Sequence, residues 1–155
     1  MLKMEERPLK ESSMVNLSTN NFGNLSIEKE NIITFEQGLL GFEELKQFAI
    51  IDVEECLPFE WLVSVEDPIV AFPILNPTLF FSDYKPSLSK DDLVSLNIKK
   101  EKDVEMFCIV TLDKKPENVT LNLKGPILIS MKNKMGKQVV LAEDYYSLNQ
   151  LLIRY

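Results

Sequence analysis

The chain contains no histidine. The side chain most used as a general base near neutral pH, and the commonest zinc ligand, is therefore missing, which weighs against hydrolytic triads and metalloenzymes. Carboxylate or lysine chemistry is still allowed. Cysteine is scarce as well: Cys56 and Cys108 lie far apart, form no CxxC or Cys/His cluster, and read as small core residues in a reducing compartment. No apolar run approaches the roughly 18 to 20 residues of a membrane helix, and the opening MLKMEERPLKESS lacks the apolar centre of a signal peptide. A cytoplasmic location is expected. Cationic residues are in deficit, with 17 Lys and Arg against 24 Asp and Glu, a formal charge of −7 and a pI near 4.7. A polyanion would meet a surface of its own sign, so direct nucleic-acid binding is disfavoured and a basic protein is the more natural partner. The same charge also serves plain solubility.

At 155 residues and 45% hydrophobic, the chain is long enough to bury a sizeable core without metals or disulfides. Residues 1–13 are charged and aperiodic and read as a disordered or loosely ordered tail, with one folded domain over 14–155. Apolar residues then recur mostly with period two. Val15 and Leu17, a turn at NNFGN, and Leu25 and Ile27 predict a first hairpin. Short strands are predicted at IITF, FAIIDV and FEWLVSV, with about two turns of helix between Phe42 and Phe48. In IVAFPIL, Pro73 lacks a ladder donor and predicts an edge strand or a bulge.

The clearest helix start is LSKDDLVSLNI, where Ser89 can cap, Asp91 and Asp92 favour the first turn, and Leu88 can staple against Leu93. VEMFCIVTL is apolar on both faces from Met106 to Val110, which predicts cover on both sides. NVTLNLK alternates, with Val119, Leu121 and Leu123 inward; PILISM and QVVLAE flank a predicted turn, KNKMG, ending at Gly136. DYYSLNQLLIRY fits strand or helix. About nine short strands with at most two small helices predict an all-β, mainly antiparallel, small barrel-like domain.

Few residues look chemical. GLLG lacks the spacings of a phosphate-binding loop, and the pairs Glu43/Glu44, Glu54/Glu55, Asp91/Asp92 and Glu143/Asp144 point apart and flank no nucleophile. Lys132, Lys134 and Lys137 read as a charged hairpin tip, and the GPI at Gly125 to Ile127 as a bend where the sheet curls. The stretch ILNPTLFFSDYKP is different, because adjacent Phe80 and Phe81 cannot both enter one core from a strand. Either they fill two layers, or one of them joins Tyr84 and Asp83 as an anchor for a partner.

Four segments, ITFEQGLLGFEELKQF (33–48), LNPTLFFSDY (75–84), LKGPILIS (123–130) and GKQVVL (136–141), stand in the order and spacing of the flagellar assembly factor FliW family. The chain resembles that family from about Met14 to Leu141. The resemblance implies a β-barrel-like cytoplasmic binding protein, monomeric when unbound, with no catalytic activity, cofactor or metal. Its implied partners are flagellin and, when flagellin has been exported, the translational repressor CsrA, which then releases the flagellin message; nucleic acid and membrane are not contacted directly. Carried onto this sequence, the partner-binding residues would be Asn76, Pro77, Phe80, Phe81, Asp83 and Tyr84, with Gly38, Gly41, Gly125, Pro126 and Gly136 shaping the barrel. Tyr84→Ala or Asp83→Lys should then weaken binding with little change in thermal midpoint. Two other classes compete: a small intracellular barrel carrying an apolar ligand, and an enzyme using carboxylates or Lys137, which would need a concave site of converging polar groups.

Overall fold

The computed structural model describes residues 13–153. A hairpin of β1 (Met14–Thr19) and β2 (Gly23–Glu28) precedes β3 (Ile33–Thr34), β4 (Gln47–Asp52), β5 (Glu60–Ser64) and β6 (Ala71–Leu75). After the six-residue helix α1 (Lys90–Ser95) come β7 (Glu105–Thr111), β8 (Thr120–Leu121), β9 (Ile127–Ser130), β10 (Met135–Gln138) and β11 (Gln150–Leu151). Strands β3 to β7 run antiparallel in chain order; β7 then pairs with β9, β9 with β10, and β10 with β3 in parallel, closing a barrel of seven strands. The fold is all-β, as predicted.

Closure depends on β7. Ile109 and Cys108 pair with Ile74 and Leu75 of β6, while Phe107, Met106 and Glu105 pair with β9, and Val110 and Thr111 with β8. Between β8 and β9, Asn122 to Pro126 form a bulge in which the Asn122 Oδ1 accepts from the backbone N–H of Lys124 and Gly125. The bend expected at GPI lies there.

Alternation along each strand sorts side chains into an interior and two outer cores. Phe107 and Ile109 face inward with Phe35, Phe48, Leu62, Ile74, Ile127 and Ile129, filling the barrel as in other small barrels. Met106, Cys108 and Val110 face outward into a second core built on residues 75–98 and 119–141. The hairpin makes a third: Leu17 and Ile27 lie over Ala49 and Val63, and Phe22 meets Trp61 edge-on at 5.1 Å. Three layers explain why so many strands are apolar on both faces, since each fully buried large side chain contributes about 1.5–3 kcal/mol.

Helix α1 starts as its sequence requires, with the Ser89 hydroxyl accepting from the Asp92 N–H at 3.0 Å, and it stops at Asn97, which takes a left-handed φ of 57°. Several local expectations are corrected. No helix forms over Phe42–Phe48; Gly38 and Gly41 take positive φ, Leu39 turns into the barrel interior, and the segment covers that core as a chain of turns. β6 is not an edge strand. Ser64 N–H bonds to Val70, so alternation places Trp61–Pro73 at a pair without hydrogen bonds, and pairing with β7 begins only at Ile74, so Pro73 forfeits no bond. The turn after β9 ends at Lys134, with φ 54°, and Gly136 lies inside β10, where a Cβ would run into the Phe35 ring. NVTLNLK keeps its inward residues but is a strand only at Thr120–Leu121, and the tail contributes β11, paired with β8. The loose tail predicted over 1–13 falls outside the described residues except Ser13, whose carbonyl accepts from Lys29.

Candidate functional site

The chain leaves β6 through a tight turn. Asn76 caps it, its Oδ1 accepting from the Thr78 N–H at 3.0 Å and the Thr78 hydroxyl at 2.7 Å, with Pro77 buried at the first position of a 3-10 turn. The turn rotates successive side chains out of strand alternation. Leu79 and Phe80 emerge 61% and 46% exposed, whereas Phe81 and Tyr84, at 2% and 4%, pack into the outer core. The two phenylalanines therefore part company, one inward and one outward.

Tyr84 is held at both ends. Its hydroxyl donates to the Leu123 carbonyl at 2.7 Å, and its ring meets Tyr146 edge-on at 4.9 Å. Burial, then the neighbouring Cys108 thiol, pushes the phenol far above its ordinary range, and burial lifts Cys108 to about 12, so both stay neutral. Tyr145 lies against Tyr146 at 4.6 Å and is 76% exposed. Together with Asp83 and Gln150 these tyrosines line a cleft of about 220 Å³ beside the turn. Acidic groups gather nearby: Glu143 accepts from the Ser87 N–H, and Asp144 stands 3.9 Å from Lys124.

The other sequence motifs meet here as scaffolding. Gln138 accepts from the Leu40 N–H of the GLLG loop and donates to the Gly125 carbonyl, while Tyr84 joins its own turn to Leu123. Gly38 is required because a Cβ there would stand 2.6 Å from the Glu43 Cα. All four quoted segments thus belong to one hydrogen-bonded frame around the turn.

The FliW protein family model matches residues 16–152. The chain belongs to the FliW family. It is 41% identical to the flagellar assembly factor FliW of Clostridium botulinum over 131 residues, covering 84% of this chain and 93% of that one. A relative of the same name from a Thermotoga species is 39% identical, covering 84% and 88%. A crystal structure of a flagellar assembly factor FliW superposes with a TM-score of 0.85 at 34% identity, over 90% of this chain and 98% of that one.

Of the six residues singled out from the sequence, Asn76, Phe80 and Asp83 face solvent, and Pro77, Phe81 and Tyr84 are buried. The buried three shape the turn, and Phe81 and Tyr84 also line the cleft beside it. Sequence reasoning did not foresee Tyr145 and Tyr146, which pack beside the turn although they follow it by some sixty positions. Their signal was the same as that of Phe80 and Phe81: two adjacent aromatics, of which a strand or turn can bury only one.

Proposed function

We propose that the protein is a non-catalytic, cytoplasmic flagellar assembly factor that binds flagellin and, when flagellin has left, binds CsrA and relieves its repression of flagellin synthesis. The observation that carries this reading is the outward pair Leu79 and Phe80 beside Asp83, mounted on a turn that buried Pro77, Phe81 and Tyr84 anchor. Exposed aromatics rimmed by polar groups are the usual material of interface hot spots. Supporting it, the relatives are named flagellar assembly factors, no helix among the described residues is long and apolar enough to cross a membrane, and the charge of −7 suits a partner basic enough to hold RNA. An acidic protein seated near the RNA surface of CsrA repels the phosphate backbone whether or not it covers the base contacts.

The test is to mix the purified protein with purified flagellin and CsrA, separately and together, on a sizing column. Two binary complexes, competition between them, CsrA affinity that falls with salt, and release of labelled flagellin leader RNA are expected. Failure to associate with either protein at micromolar concentrations would refute the assignment.

A further inference from the structure

Two surface clefts, of about 480 and 370 Å³, share the wall formed by Glu60, Glu105 and Phe107 at one end of the barrel. The first runs past Val104 and Met106 to Asn76 and Leu79 of the exposed turn. The second runs over Ile33 and Ile50 to Lys134. The floor is apolar and the rim is acidic. Asp52 closes β4 directly opposite Glu60, which opens β5, and Glu105 opens β7.

This arrangement opposes like charges across the sheet, which is destabilising by itself. Neither of the two ion pairs among the described residues includes Asp52, Glu60 or Glu105. Burial first, then a hydrogen bond that the protonated Glu60 donates to Asp52 and the charges of Asp52 and Glu105, raises the Glu60 carboxyl to about 7. Among the described residues, Lys134, on the turn between β9 and β10, is the one lysine lining either cleft.

We propose that this groove seats a cationic side chain, arginine or lysine flanked by apolar residues, from a partner protein that reaches the Asn76–Leu79 turn with the same segment. The inference rests on the reading of the molecule as a binding protein and assigns it a specific contact. Charge complementarity selects the occupant: among the described residues three carboxylates, Asp52 from β4, Glu60 from β5 and Glu105 from β7, face the site against the single ammonium of Lys134. An incoming guanidinium takes the place of the Glu60 proton, which leaves to solvent. Binding therefore tightens as pH rises. The chain has no histidine, so this proton stands out in the neutral range.

The experiment titrates the isotope-labelled full chain with the peptide acetyl-Leu-Arg-Leu-Arg-Leu-amide and with its citrulline counterpart, following amide shifts at pH 6 and pH 8. Shifts are expected at Asp52, Glu60, Asn76, Thr78 and Glu105, with affinity about tenfold higher at pH 8 as a group titrating near 7 ionises. The citrulline peptide should not bind, E105Q should weaken binding, and E60Q, which mimics the protonated acid, should flatten the pH profile. Shifts elsewhere, equal binding of the citrulline peptide, an E60Q variant that keeps the profile, or cleft shifts that follow protein concentration without peptide would overturn the proposal. If the unaltered chain binds flagellin and CsrA and both variants do so equally well, the groove is wrong and the assembly-factor reading stands. If the chain binds neither protein yet takes the arginine peptide into the groove, the groove stands without that reading.

Discussion

The hydroxyl of Tyr84 donates to the carbonyl of Leu123 across 2.7 Å, tying the turn after β6 to the bulge that separates β8 from β9. This bond crosses the outer core and anchors the turn together with buried Pro77 and Phe81. Tyr84 thereby helps fix the turn that carries Phe80 and Asp83.

Tyr84→Phe should remove the hydrogen bond while keeping the ring, and it strands the Leu123 carbonyl. A loss of about 1–3 kcal/mol is expected. Thermal denaturation would register roughly 2–4 °C per kcal/mol in a chain of this size. Tyr84→Ala should lose more, on the order of 3–5 kcal/mol, which revises the expectation of an unchanged midpoint.

Phe80 and Phe81 should separate cleanly in the same assays. Phe80→Ala leaves stability within about 0.5 kcal/mol but weakens flagellin or CsrA binding by roughly 2 kcal/mol, some thirtyfold, by calorimetry. Phe81→Ala, from a site 2% exposed, lowers stability by about 3–5 kcal/mol. An unaltered affinity in folded Phe80→Ala would remove this residue from the interface.

Gly136→Ala should destabilise the barrel by about 1–3 kcal/mol, because the new methyl meets the Phe35 ring inside β10. Urea unfolding measures it. A companion substitution, Phe35→Leu, makes room and should recover part of the loss; a neutral Gly136→Ala would show that the ring moves freely.

Glu60 should make stability fall as pH rises. Its folded carboxyl is lifted to about 7 from an ordinary 4.5, so between those values the folded state holds the extra proton and each rise in pH favours unfolding. The contribution is complete below about pH 4.5 and lost through pH 7. Glu60→Gln should remove the slope and, at pH 8, raise the thermal midpoint by about 2–4 °C, the modest size reflecting solvent screening at a half-buried site. A melting curve series from pH 5 to 8 that is identical for the two proteins would rule this out.

Much of the fold was legible before any coordinates. Period-two alternation marked β1, β2, β4 and β5, the doubly apolar run from Met106 to Val110 announced cover on both sides, and Ser89 with Asp92 defined the start of α1. The helix expected at Phe42–Phe48 failed because short-range pattern cannot register that Leu39 must plug the barrel, nor that Gly38 and Gly41 bend the chain to let it. The site was half legible: a pair of adjacent aromatics required two destinations, but only the turn geometry decided that Phe80 goes out and Phe81 in.

By itself the sequence determined an acidic, histidine-free chain with strands, caps and turns in a known order, because those depend on residue type and on neighbours a few positions away. The tertiary structure alone decided the closure through β7, the seating of Tyr146 against Tyr84, and the opposition of Asp52 and Glu60 at the groove. Each of these joins residues through register and packing, and no local preference specifies which distant strand a given edge will find.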